Sequence, residues 1–157
     1  MSNRIGKRGE NIFATIISRN IASKGFLLDP TFLGDKFQTV DFHVDLLQYF
    51  FKGFFYAGVK TTTLGYYPEG DRMRITIDKD EIAELSKFVL PVYIFGIDEI
   101  EEKGYLISAN NLDKAMNVNG VITKYPVNSA NIELLWKEVA AYWDNRREMT
   151  KFVSSFN

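Results

Sequence analysis

Cysteine is absent, histidine occurs once and proline four times in 157 residues. Without cysteine there is no disulfide framework, no thiolate metal site and no cysteine nucleophile. With His43 alone, a multi-histidine zinc cage is excluded, and so is any Ser-His-Asp triad that does not use it. An excess of one charge is also lacking: 19 Lys and Arg stand against 20 Asp and Glu, a net charge of -1. That excludes a wholly basic nucleic-acid coat and an acidic solvating tail, but not a local basic patch. No stretch approaches the roughly eighteen apolar residues of a membrane span. The first ten residues are polar and carry no apolar signal core. A soluble, cytoplasmic protein with no membrane partner is the expectation.

What is present is a large apolar content, 46% hydrophobic and 15% aromatic, which points to a well-filled interior rather than disorder. The length suits one domain over 1–157 and buries a core without staples. Ile12, Phe13, Ile16, Ile17 and Ile21 recur at helical spacing and predict a helix over 3–24, ended by Gly25. A short strand at 26–28 and a loop over 29–39, marked by Asp29-Pro30 and Gly34-Asp35, follow. Val40, Phe42, Val44 and Leu46 alternate with Asp41, His43 and Asp45, as on a strand with one covered face. Further strands are predicted at 54–62 and 73–77, a helix over 78–88 with Asp78 as N-cap, and strands near 92–97 and 104–109. Val92-Tyr93-Ile94-Phe95 is apolar throughout and fits a central strand covered on both faces. A short helix near 111–116, a strand near 121–125 and a long helix over 129–147 complete the chain. The pattern is that of an α/β sandwich with a mixed sheet flanked by helices.

Three polar residues stand where packing alone would not put them. Glu10 lies at the edge of the first helix's apolar arc and needs a partner there, unless it snorkels past the rim. Asp41 faces the side of its strand opposite Phe42 and Val44, where an ordinary half-solvated strand face is the bland alternative. Lys60 interrupts the end of an aromatic strand, either as an edge guard or as a working cation. A hairpin of 40–47 with 54–62 would pair Asp41 with Lys60 if centred near Phe50-Phe51. Centred at Lys52-Gly53, it would pair Asp45 with Lys60 instead.

Helix glutamate, strand aspartate, then a lysine closing the next strand resembles the layout of the PD-(D/E)XK nucleases, which include restriction endonucleases and archaeal Holliday-junction resolvases. The nearer resemblance is to a family of bacterial nuclease-like domains of that superfamily. It rests on Gly9-Glu10, on Asp41-Phe42-His43-Val44-Asp45-Leu46 and on the strand Phe54 to Thr62 with Lys60 near its end. Leu90-Pro91-Val92-Tyr93-Ile94-Phe95 and the closing-helix Trp136 and Trp143 add to it. The resemblance implies a restriction endonuclease-like sandwich and metal-dependent hydrolysis of phosphodiester bonds, with a role in bacterial defence. It implies Mg²⁺ or Mn²⁺ as cofactor, and nucleic acid as partner, DNA before RNA. It also implies catalytic roles for Lys60, Asp41 and Glu10 and a metal held by Asp41, Glu10 and position 58. Oxygen ligands suit such a hard cation, which acts as a Lewis acid and lowers the pKa of a bound water. The lysine stabilises charge growing on the phosphate.

The chain departs from the pattern at Gly58, where the resemblance calls for Glu or Gln and glycine offers only a backbone carbonyl. Glu10, Asp45 or Glu69 could supply the missing oxygen, a metal could bind through Asp41, a carbonyl and waters, or the site could be inactive. A non-catalytic binding module on the same fold is therefore the competing function. His43 is a candidate proton relay or a structural histidine. Arg4, Lys7, Arg8, Arg146 and Arg147 are either a phosphate track or a solvated face. Tyr66-Tyr67 could stack on bases or simply pack. Phe50, Phe51 and Phe54 are the place to look for a homodimer contact.

Overall fold

Seven consecutive buried residues, Val92–Asp98, form the strand around which the chain is layered. A computed structural model describes residues 2–34, 37, 39–149 and 152–156. The described elements run α1 (Ser2–Ile17), β1 (Asn20–Ile21), β2 (Gly25–Phe26), β3 (Leu28–Phe32), β4 (Phe42–Leu46) and β5 (Phe54–Thr62). They continue with β6 (Arg72–Ile77), α2 (Lys79–Leu85), β7 (Val92–Asp98), β8 (Lys103–Ser108), β9 (Val118–Ile122) and α3 (Ser129–Met149). A five-stranded mixed sheet has the order β3-β4-β5-β7-β8. Its β5 and β7 are parallel and its other neighbours antiparallel. A separate antiparallel pair joins β6 to β9, and β1 with β2 makes a small hairpin. The architecture is α/β, as the alternation of helical and strand periods predicts. None of the described helices is long and apolar enough to cross a membrane.

The parallel pair explains the layering, because parallel strands are buried on both faces. On one face Phe42, Val44, Phe55, Ala57, Phe95 and Ile97 pack against Phe13 and Ile17 of α1 and Ile132, Leu135 and Val139 of α3. On the other, Val92 and Ile94 pack against Met73, Ile75 and Ile77 of β6, Val121 of β9 and Ile82 and Leu85 of α2. The apolar stripes of α2, α3 and β7 are those read from the sequence, and Asp78 caps α2 by accepting from the Asp80 N–H.

Five elements differ from expectation. The first helix stops at Ile17, where the Ser18 hydroxyl and the Arg19 guanidinium satisfy the carbonyls of Ala14 and Ile16. Ile21 is buried all the same, but from β1, and Gly25, at φ 77°, turns that hairpin instead of ending a helix. Part of the expected loop at 29–39 is β3, because Pro30 sits on an edge strand, where a missing N–H is tolerated. Asp35 of the expected Gly34-Asp35 turn lies outside the described residues. Val40 does not share a face with Phe42 and Val44: it precedes β4 and joins the opposite core. Residues 111–116 form turns, not a helix, as the Asp113 carboxylate takes the Ala115 N–H. The strand expected at 121–125 is β9, three residues earlier.

Helix α1 crosses β5 at Gly9. A Cβ there would lie 2.8 Å from Thr61 Cβ and closer still to its hydroxyl, so only glycine permits this approach. At Gly6, one turn earlier, an added Cβ meets nothing within 4 Å. Gly9→Ala should therefore destabilise the protein, whereas Gly6→Ala should stabilise it by up to about 1 kcal/mol through helix propensity. Ile94 is 1% exposed, and Ile94→Ala should cost about 2–5 kcal/mol. Urea unfolding of the three variants measures all of these differences.

Candidate functional site

The β4–β5 ladder runs from Asp45↔Phe54 to Phe42↔Ala57 and ends there. Asp41 extends it by other means. Its N–H donates to the Ala57 carbonyl at 2.9 Å, and its Oδ2 accepts the Val59 N–H at 2.7 Å. The carboxylate thus satisfies a strand donor that no β4 carbonyl reaches. Val40, outside the ladder, is free to turn into the second core.

Asp41 and Phe42 both meet Ala57 on β5, and the Asp41 carboxylate reaches on to the Val59 N–H, one residue before Lys60. The pairing is displaced by two residues from the Asp41-with-Lys60 pairing considered from the sequence. Within the ladder an even displacement keeps every side chain on its face; beyond Phe42 it is the hydrogen bond to Val59 that brings Asp41 close to Lys60. They interact electrostatically. Burial pushes the Asp41 carboxyl above the ordinary carboxylate range, more than the Val59 N–H and the Lys60 ammonium lower it, and Glu81 adds to the rise.

Glu81 is the residue that the sequence reading missed. It lies in α2, and its Oε1 is 2.7 Å from Lys60 Nζ, both side chains about one-third exposed at 28% and 32%. A signal for it existed. On a helical wheel Glu81 is only about 40° from Leu85, at the margin of the stripe formed by Ile82 and Leu85. That is the argument that singled out Glu10. At Gly58 an added Cβ would meet nothing within 4 Å, so the space beside Asp41 is open.

Glu10 is half-buried and engaged in an interaction of its own. It lines a cleft of about 410 Å³ with Lys60, between Ile5 and Gly6 of α1 and Arg74, Ile75 and Thr76 of β6. The close crossing at Gly9 is what brings Glu10 to this end of β5. The structure therefore joins Lys60 to Asp41 through the sheet and to Glu10 through the cleft, but Asp41 does not line that cleft.

The other candidates lie elsewhere. Asp45 is four residues from Asp41, about 13 Å along a strand, and its Oδ1 is 3.0 Å from His43 Nε2. His43 stacks on Phe54 at 4.4 Å, so its surroundings are those of a packed strand histidine. Glu69 is exposed in the turn before β6. Arg8 is paired with Glu99 and Glu102 at the β7–β8 hairpin tip, whereas Arg4 and Lys7 are exposed. The Tyr67 ring carries the guanidinium groups of Arg72 and Arg74, each 4.8 Å from its centroid, and Tyr66 packs edge-on against Tyr105. Arg147 lies over Phe51. Phe50 is 92% exposed, but Phe54 is half-covered by Trp143, whose indole N–H donates to the Phe54 carbonyl.

Among the described residues no three His, Asp or Glu side chains form a ready metal cage. Two carboxylates do stand near this end of β5: Asp41, which accepts the Val59 N–H, and Glu81, which pairs with Lys60. That set suits Mg²⁺, which binds through one or two carboxylates and keeps several waters. No family model, curated protein or solved structure matches this chain.

The Asp41 environment has a measurable consequence. A carboxyl with a raised folded-state pKa binds its proton more tightly in the folded chain. Its ionisation therefore lowers stability as pH climbs from the ordinary value of 3.8 through the raised one, and the penalty persists at neutral pH. Asn at 41 can still accept the Val59 N–H but carries no charge. Asp41→Asn should be at least as stable as the parent at neutral pH, with the difference closing below pH 3.8. Urea midpoints across that range test it.

Proposed function

We propose that this chain is a PD-(D/E)XK nuclease-like domain with the restriction endonuclease-like sandwich, acting on phosphodiester bonds of nucleic acid with Mg²⁺ or Mn²⁺. The observation that supports this reading is the hydrogen bond of Asp41 to the Val59 N–H, one residue before Lys60, together with Glu10 in the cleft that Lys60 lines. Order in the chain and proximity in space agree, and composition alone requires neither. DNA is preferred to RNA as substrate in this proposal, and bacterial defence is the setting.

In this reading the phosphate enters the cleft between α1 and β6. Lys60 places its ammonium against a non-bridging oxygen, where it opposes the negative charge that grows as the bond to the leaving oxygen breaks. Arg74, exposed on the opposite wall, contacts a neighbouring phosphate, and Arg4 and Lys7 extend the cationic track. Asp41 is held by the Val59 N–H through one carboxylate oxygen, which leaves the other for a ligand. The resemblance assigns a cation to Asp41, Glu10 and the Gly58 carbonyl, where it would supply Lewis-acid activation of a bound water; Asp41 would have to reach it from outside the cleft that Glu10 lines.

A second reading, a binding module without catalysis, draws on the absent side chain at Gly58 and on the engagement of Lys60 by Glu81. Supercoiled plasmid and labelled duplexes, with Mg²⁺, Mn²⁺ or EDTA, separate the two. The nuclease reading expects metal-dependent nicking that falls about a hundredfold or more in Lys60→Ala. Salt-sensitive DNA binding without cleavage in any metal supports the binding module. Neither cleavage nor binding removes both.

A further inference from the structure

We infer that the open edge of β8 at Leu106–Ser108 receives an extended peptide as an added strand, one with apolar side chains at alternate positions and a lysine or arginine that meets Glu138. This surface is on the outermost strand of the sheet, separated from β5 by β7, and the inference does not depend on the reaction proposed above.

The Ala109 N–H donates to the Val92 carbonyl. In the antiparallel register of β7 with β8, the pairs Ile94–Ile107 and Gly96–Tyr105 are then hydrogen-bonded in the same way. The residues between them, Gly104, Leu106 and Ser108, turn their backbone groups to the outer edge. The segment 125–127 covers the first part of it: the Val127 N–H donates to the Gly104 carbonyl, and the Leu106 N–H to the Tyr125 carbonyl. There the cover ends, since the chain before Tyr125 turns away and the Thr123 N–H donates to the Asp71 carbonyl. The Leu106 carbonyl and the Ser108 N–H have no partner among the described residues, and Ser108 is exposed. An acceptor and a donor on an open edge are the groups that a further strand pairs.

The same edge borders an apolar groove of about 550 Å³. Tyr93, Leu134 and Leu135 line it on the α3 side, and Val118 and Ile122 on the β9 side. Leu134 is 58% exposed and Ile122 39%. An added strand sends successive side chains to opposite faces, so alternate residues enter one wall and then the other. Of the lining residues Glu138 alone is charged at neutral pH. Its Oε1 accepts the Tyr93 hydroxyl at 2.6 Å, which fixes it at the groove, and the neighbouring Lys137 turns to Glu133 instead. An apolar groove with one fixed anion is complementary in charge to an apolar segment with one cation. The open edge from Leu106 to Ser108 is only about 7 Å long. That length suits a short segment, whereas a stable dimer buries roughly 800 Å² on each partner.

A phage library of random heptapeptides, selected on the full chain, supplies the probe. Enriched peptides should carry apolar residues at alternate positions with one lysine or arginine, and their fluorescein-labelled synthetic forms should bind in solution. Ser108→Pro removes the edge donor at a position where a strand tolerates proline. It should weaken binding about tenfold or more with an unchanged urea midpoint. Glu138→Gln still accepts from Tyr93; it should weaken a lysine-bearing peptide by a similar factor and leave its norleucine counterpart unaffected. In the complex with the parent chain, hydrogen exchange at the Ser108 amide should slow. No enriched peptide, or peptides whose binding both substitutions leave intact, overturns the inference. Binding that leaves Ser108 exchange unchanged also overturns it, because the groove is then filled without strand addition. Self-association that Ser108→Pro abolishes gives the edge to a second copy instead, and uptake of dodecylamine without any selected peptide makes the groove a small-molecule site; either result sinks the peptide assignment.

Discussion

A parallel pair of strands is stable only when both of its faces are covered, and the pairing of β5 with β7 imposes that condition on the whole chain. Every residue of β7 is buried, so two separate cores must exist. Helices α1 and α3 supply one cover; α2 and the β6–β9 pair supply the other. The condition also explains the positions of the functional candidates. Towards the end of β5 the polar residues Lys60, Thr61 and Thr62 replace the aromatic run Phe54-Phe55-Tyr56. Glu10 arrives from the layer on one side and Glu81 from the layer on the other. The site is assembled at the margin of both cores rather than inside either.

The parts of this design written into local pattern could be read without coordinates. The apolar run of β7, the limits of β5 and the 3.6-residue stripes of α2 and α3 depend on neighbours in the chain, and these were legible. What failed depended on partners distant in sequence. Pro30 marks a loop by its chemistry, yet an edge position makes it compatible with β3. Ile21 satisfied the helical period of α1 and was buried, but from a hairpin that periodicity cannot distinguish. Val40 satisfied the alternation of β4 and belongs to the other core, because Asp41 ends the ladder one residue before it. The pairing of β4 with β5 was legible from their alternation; the register, two residues off, and the departure from it at Asp41 were not. Glu81 was hidden by a different cause. It precedes a buried isoleucine in an ordinary capped helix, and only the tertiary packing of α2 on β5 sets it against Lys60.

A purely structural account of Asp41, Gly58, Lys60 and Glu81 does not close. The Val59 N–H needs an acceptor, but water or a continued β4 carbonyl would serve without burying a carboxylate whose ionisation is penalised. Glycine in a strand interior weakens it, and here no close approach of another group requires it: unlike Gly9 against Thr61 or Gly96 against Met73 and Ile75, Gly58 has nothing near its Cβ direction. The Lys60–Glu81 pair is too exposed to offset these costs. Local rules are broken together at one place, by residues from β4, β5 and α2, while the surrounding cores obey them. Concentrated conflict of this kind is expected at functional or strained sites. It is also why the geometry at the end of β5 carries the functional reading proposed for this protein.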